Sequence, residues 1–395
     1  MSDIFPTILI LGRQPALGLA ELESLHGAEA VRPFGPTAVF LNLPTTDLNF
    51  NRLGGSTRAC KVLTPLPSTA WGDIKQYLLK NIPQHATALP EGKLTIGVSV
   101  YGVNVHLKEL ERCLLEIKKT VKASGRPVRI VPNKLAELNA AQVLHNNLTS
   151  PNGWELVIIS DGREAYLAQT SHIQDIEGYA ARDQARPYRD ARVGMLPPKL
   201  AQILVNLAGS HLLTGRLIDP FCGTGVVLQE ASLMGYDAYG SDLEPRMVEY
   251  SIGNLHWLRQ KRADIDNNVR IEIGDATSHT WNQPIDLVAG ETYLGAPLTN
   301  MPKPDALHKI IDNTNAIHEK FLRNIAPQLQ SGTRLCLAVP AWSVVSDAFL
   351  RLPVLDHLKE LGYNEVKFVH AKKAQLIYHR ENQFVARELV VITKD

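Results

Sequence analysis

Four cysteines, at positions 60, 113, 222 and 336, are scattered through 395 residues with no Cys-x-x-Cys pair. That spacing excludes a disulfide framework and a zinc finger, and it fits a reducing compartment. No apolar run is long enough to span a bilayer, and the N-terminus lacks a basic-then-apolar signal pattern. A cytoplasmic protein is therefore expected. Charge of one sign is also scarce: the net charge is only +1, so any binding to nucleic acid must rest on local patches. What the chain does have is ordinary globular composition, 45% hydrophobic and 21% charged, at a length that calls for more than one domain.

The most informative stretch is RLIDPFCGTGVVLQEASLMGYDAYGSDLEPRMVEYSIGNL, Arg216 to Leu255. An apolar strand stops at Asp219 and turns through Phe221-Cys222-Gly223-Thr224-Gly225. A helix of apolar spacing follows, and a second strand delivers Asp242. Strand, Gly-rich turn, helix, strand and acid make up the nucleotide-binding half of a doubly wound sheet. Glycines let the backbone approach a ligand, and an acid at the second strand's tip accepts hydrogen bonds from ribose hydroxyls. The third glycine of a dinucleotide fingerprint is missing, and Asp219 precedes the turn. A carboxylate there suits a ligand bearing an amine better than a pyrophosphate, which favours S-adenosylmethionine. The plainer alternative is a structural turn without a ligand.

DPFCGTG followed by GSDLEPRMV resembles motifs I and II of S-adenosylmethionine-dependent methyltransferases, nearest the branch acting on exocyclic amino groups of nucleic-acid bases. RDQARPYRDARVGMLPPKLAQILVNLA (182–208), LIYHRENQFVARELVVI (376–392) and the opening ILGRQPALGLAELESL resemble the THUMP-containing tRNA guanosine-10 N2-methyltransferases. The resemblance implies a C-terminal Rossmann-like class I methyltransferase domain, preceded by an α+β ferredoxin-like and THUMP-like module. The expected division is 1–64 ferredoxin-like, 65–165 THUMP-like, 166–192 linker and 193–395 methyltransferase. S-adenosylmethionine is the implied cofactor, tRNA the implied partner, and no metal or membrane is implied. The cofactor-binding residues carried over are Asp219, Phe221, Gly223, Gly225, Asp242, Leu243, Asp275 and Ala276. An activating partner subunit is left open.

The chain departs from the family at its catalytic motif. Where the family has Asp/Asn-Pro-Pro-Tyr, this chain reads Glu291-Thr292-Tyr293-Leu294. Glu291 then stands at the acid and Tyr293 at the base-stacking aromatic, one position early. A carboxylate can accept the amino hydrogens and take the released proton. The alternative is a decayed site that still binds tRNA or cofactor; another is an amino-methyltransferase of DNA or ribosomal RNA.

For RNA, the basic stretch from Lys108 to Lys134 carries Lys118, Lys119, Lys122 and Arg126 among eight basic residues against three glutamates. It reads as a phosphate-tracking helix or as a solvated face. The linker adds Arg182, Arg186, Arg189 and Arg192, of which Arg186 and Arg189 are candidate RNA contacts. Helices are expected at 16–25, 71–79, 107–123, 136–148, 199–208, 306–329 and 349–361. Strands are expected at 4–11, 39–43, 58–63, 94–100, 128–131, 154–160, 237–240, 271–276, 285–290, 334–339, 366–371, 375–378 and 388–392. The connector 165–192 is expected to be irregular.

Overall fold

The apolar pentapeptide Thr7–Leu11 forms the first strand, buried along its whole length. In the computed structural model, which describes residues 5–87, 91–190, 195–282, 284–298, 300–345, 348–380 and 383–395, the chain is α/β throughout. Arg192 and the expected boundary at 192/193 lie outside the described residues. Two compact units form: residues 1–15, 29–51 and 56–176 make the first, and 16–28, 52–55 and 177–395 the second.

In chain order the elements up to the connector are β1 (Thr7–Leu11), α1 (Pro15–His26), β2 (Val31–Phe34), β3 (Ala38–Leu41), β4 (Ser56–Pro65) and α2 (Trp71–Thr87). They continue with β5 (Leu94–Tyr101), α3 (Leu107–Ala123), β6 (Val128–Ile130), α4 (Ala140–His145), β7 (Gly153–Ser160) and β8 (Ala165–Ile173). One eight-stranded sheet, β2-β3-β1-β4-β8-β7-β5-β6, runs through the first unit. Strands β5, β6 and β7 are mutually parallel and the other pairings are antiparallel. The period-two alternation of β7 explains its central place: Trp154, Leu156 and Ile158 pack under α2 and α3, while Val157 and Ile159 join the opposite cluster with Ile8 and Phe40. Inside this sheet Arg58 and Glu155 form a buried ion pair. Ser99 and Thr170 each donate to Glu155 at 2.6 Å.

Strand β8 corrects the expectation of an irregular connector from 165. Gln169, Thr170 and Ser171 weaken its apolar signal, but pairing with β4 on one side and β7 on the other satisfies its backbone. Helix α4 is shorter than the expected 136–148, because Asn139 caps it in a reciprocal capping box with Gln142.

The second unit holds α5 (Ile176–Ala180), α6 (Pro198–Gly209), β9 (Arg216–Asp219), α7 (Val226–Leu233), β10 (Asp237–Asp242), α8 (Pro245–Lys261) and β11 (Val269–Ile273). It continues with β12 (Leu287–Glu291), α9 (Pro304–Ile325), β13 (Arg334–Val345), β14 (Ala348–Leu350), β15 (Tyr363–Glu365), β16 (Ile377–Tyr378) and β17 (Val385–Lys394). The sheet order is β11-β10-β9-β12-β13-β17-β15, with β14 on β13 and β16 on β17. The first five strands are parallel and β17 inserts antiparallel between β13 and β15. Helices α6 and α7 cover one face and α9 the other, which is a doubly wound sheet.

Helix α1 belongs here rather than with the strands that flank it in sequence. Leu17 and Ala20 enter the core beside α6 and α7. The Glu21 carboxylate accepts the Gly54 and Gly55 N–H groups at 2.9 and 2.8 Å and the Asn206 amide at 2.7 Å. Glu23 accepts the Val369 and His370 N–H groups at 2.6 and 2.9 Å. Those two amides therefore serve a carboxylate, and no strand forms at the expected 366–371. The expected helix at 349–361 is also absent: Pro353 interrupts it, leaving two 3-10 turns, Pro353–Asp356 and Leu358–Leu361.

Candidate active site

Parallel strands β9, β10, β11 and β12 deliver their C-terminal ends to one edge of the sheet, and strand order reverses between β9 and β12. Ligands of doubly wound sheets bind at that reversal. Three acids stand there: Asp219 ends β9, Asp242 ends β10 and Glu291 ends β12.

Asp219 is buried, and the Phe221 N–H at 3.2 Å is its one hydrogen-bond donor among the described residues. Burial pushes its carboxyl well above the usual range; the Phe221 N–H opposes the shift, and the Asp242 and Glu291 charges add to it. Gly290 makes room for it, since a Cβ there would lie 2.4 Å from Asp219 Oδ1. The turn that follows needs its glycines. Gly225 has φ of 79° and a Cβ on it would strike Ser251 Oγ at 2.7 Å. Gly223 has φ of 51° and donates its N–H to Asp242 at 2.9 Å. Asp242 also accepts the Glu244 N–H at 3.0 Å, and burial again raises its carboxyl against those two donors.

Beside these acids lie exposed apolar side chains, Leu243 (69% exposed) and Ile273. Asp275 is exposed and accepts the Thr277 backbone and hydroxyl at 2.9 and 2.8 Å, while Ala276 is buried beneath. Phe221 packs edge-on against Phe321 on α9. All eight residues expected to hold a cofactor therefore lie in the loops and strand ends along this edge.

Glu291 is paired. The Arg387 guanidinium, on β17, donates from Nε to Glu291 Oε1, and the two side chains are 3% and 15% exposed. Burial raises the Glu291 carboxyl, and Arg387 followed by Arg380 pull it back. The next residue, Thr292, is buried, with its hydroxyl 2.7 Å from His318 Nε2 and 3.1 Å from the Ala338 carbonyl. His318 Nδ1 lies 2.8 Å from the Thr314 carbonyl, which can only accept, so Nδ1 carries the proton and Nε2 is an acceptor that shares the single Thr292 hydroxyl hydrogen with the Ala338 carbonyl. Burial lowers the His318 pKa to about 4, keeping the ring neutral. Tyr293 follows, 43% exposed.

The connector reaches the glycine turn through Asn254 on α8. Its amide accepts the Tyr188 N–H at 3.0 Å and donates to both the Tyr188 and Thr224 carbonyls at 2.9 Å. Tyr188 stacks on Tyr250, and Asp190 pairs with Arg246 at 3.0 Å.

The residues expected to touch RNA separate. Lys119, Lys122 and Arg189 are exposed and Lys118 is half-buried. Arg126 ties the last turn of α2, at Ala86, to Asn152. Arg186 is buried, and its field comes from Asp183, Arg189 and Glu230. Sequence reasoning missed Arg387, Asn254, Thr292 and His318. For Arg387 the signal was present: a charged pair, Arg387-Glu388, in the middle of an otherwise apolar strand requires partners. Among the described residues no group of His, Cys, Asp or Glu is arranged to hold a metal, and no helix is long and apolar enough to cross a membrane.

Comparison with known proteins bears on this edge. Residues 186–361 match the family described as the RMKL-like methyltransferase domain, UPF0020. The chain is 29% identical over 160 residues to a tRNA (guanine(10)-N2)-dimethyltransferase of Methanothermobacter thermautotrophicus, covering 40% of this chain and 43% of that one. It is 28% identical over 207 residues to the protein of the same name from Pyrococcus abyssi, covering 51% and 59%. The chain thus spans about half the length of the curated relatives it matches. Among solved structures, TrmN from Thermus thermophilus superposes with a TM-score of 0.52 at 18% identity over 98% of this chain and 99% of that one. The fold is a Rossmann-like methyltransferase α/β fold with an N-terminal α+β module.

Proposed function

We propose that this protein is an S-adenosylmethionine-dependent methyltransferase acting on the exocyclic N2 amino group of a guanosine in tRNA. The observation that carries it is the acidic edge: Asp219, Asp242 and Glu291 converge with Arg387 as the one cation bonded to any of them among the described residues. Such an edge favours a cationic ligand, and the turn is open over Gly223, where a Cβ would meet only the Phe221 carbonyl at 3.9 Å, which suits close approach. Asp219 would hold the donor's amine, Asp242 its ribose hydroxyls, and Leu243, Asp275 and Ala276 its adenine. When bound, that group supplies an electrophilic methyl. The chain's own part is positioning: Glu291 accepts an amino hydrogen, which turns the nitrogen lone pair out of the ring, and receives the released proton. Tyr293 offers a face for the base. The names of the relatives support guanosine in tRNA as the substrate.

The Glu291–Arg387 pair also favours a second reading, a protein that binds tRNA and donor without transfer. One experiment separates them. Unmodified tRNA is incubated with the protein and labelled S-adenosylmethionine, and its nucleosides are analysed by mass. N2-methylated or N2,N2-dimethylated guanosine is expected; binding of the donor with no label in any nucleoside would establish the second reading.

A further inference from the structure

Guanine's pairing edge presents, in order, the O6 acceptor, the N1–H donor and the N2–H donor. The Glu291–Arg387 pair presents the complement. Arg387 sits beside Oε1, so the order across the pair is guanidinium donor, Oε1 acceptor, Oε2 acceptor. Cytosine shows the same donor, acceptor, acceptor order in a base pair. We infer that Arg387 and Glu291 together form a fork that selects guanine, with an Arg387 N–H donated to O6 and the carboxylate accepting N1–H and N2–H.

Three observations support the fork. Glu291 ends its strand at the ligand edge and keeps partial exposure, so its second oxygen is reachable. Arg387 has Glu291 as its one side-chain hydrogen-bond partner among the described residues, leaving donors for a ligand. Thr292, locked to His318 and Ala338, and the β13–β17 pairing of Pro340 with Arg387 fix both halves on rigid strands. Adenine would set its N1 lone pair against a carboxylate oxygen and its amino group against the guanidinium, and so would be rejected.

The inference rests on the reading of the chain as a guanosine N2-methyltransferase. Once nucleoside analysis and mapping have located the methylated guanosine, that residue is replaced in the tRNA by 2-aminopurine, which keeps the accepting amino group but lacks N1–H and O6. Wild type should prefer guanosine by about 10²-fold in kcat/KM. Arg387→Met should shrink that preference at least about tenfold, and Arg387→Lys, which keeps one donor and the charge, should retain part of it. RNA affinity by fluorescence anisotropy should be unchanged, since the fork reads a base and not the backbone. Wild type using both bases at equal rates overturns the fork, as does a folded Arg387→Met with its preference intact. Should Arg387→Met fail to fold, the wild-type and Arg387→Lys comparisons still decide. Guanosine methylation without preference removes the fork alone; no guanosine methylation in any tRNA removes the functional reading and the fork with it.

Discussion

His318 shows how one buried ring supports the proposed catalytic strand end. Its neutral form links Thr314 on α9 to Thr292, immediately after Glu291. The unfolded chain takes up a proton near pH 6.5 and the folded one only near pH 4, so the native state binds fewer protons in that window. The contribution of the ring is therefore present above pH 6.5 and is lost as pH falls toward 4. Comparing urea unfolding at pH 7.5 and pH 5, wild type should lose about 2 kcal/mol more than His318→Gln, which cannot titrate. Equal losses in the two proteins would mean that the ring is protonated in the native state. At this scale the acids of motifs I and II were legible, because Asp219 and Asp242 stand at strand ends that local apolar patterning predicts. That Arg387 needs a partner was legible from its place in an apolar strand, but which partner was not, because Glu291 lies 96 positions away in the chain and only the insertion of β17 beside β13 brings the two together.

At the scale of elements, α3 turns its basic residues into a stripe. Lys108, Arg112, Lys119 and Lys122 are exposed along one side, interrupted by exposed Leu115, while Leu110, Cys113, Leu114, Ile117 and Val121 face the sheet. Lys118 is half-buried and Arg126 is committed to the end of α2 at Ala86 and to Asn152, so the stripe differs from the set read from charge alone. If the stripe follows RNA phosphates, replacing Arg112, Lys119 and Lys122 together with glutamine should weaken tRNA binding. The slope of log affinity against log salt should flatten by about 0.7–0.9 per lost contact. An unaltered slope would mark the stripe as a solvated face. Helices of this kind were readable from 3.6-residue spacing. The strand β8 was not, since its backbone is satisfied by two neighbours and its side chains carry little apolar signal.

Across the whole molecule, sequence order and spatial order part company. The expected boundary near residue 64 treats residues 1–64 as one piece, yet α1 and Arg52–Gly55 complete the second unit. Buried Arg52 donates to Asn206 at 3.0 Å and to the Tyr236 hydroxyl. Residues 177–395 expressed alone would leave Asn206, Tyr236 and the Val369 and His370 amides without those partners, and would uncover the core that Leu17 and Ala20 seal. That fragment should bind a hydrophobic dye and lose its sharp thermal transition, while the full chain keeps it. A fragment unfolding as sharply and at the same temperature as the corresponding transition of the full chain would show that α1 is dispensable. No local pattern announces such a placement, because the leucine spacing of a helix reads the same whichever core it enters.

That placement has a consequence for the order in which the protein is made. Helix α1 leaves the ribosome early, but α6 and the 366–376 segment it packs with come off far later, tens of seconds afterwards at roughly 5–20 residues per second. Twelve residues are too few to hold a helix by themselves in water. Through that wait Glu21 and Glu23 are hydrated charges among the leucines, which discourages the nascent segment from sticking to the wrong surface. The Gly54 and Gly55 amides that Glu21 accepts follow it closely in the chain, whereas Glu23 finds the backbone amides of Val369 and His370 only when the last third has been translated.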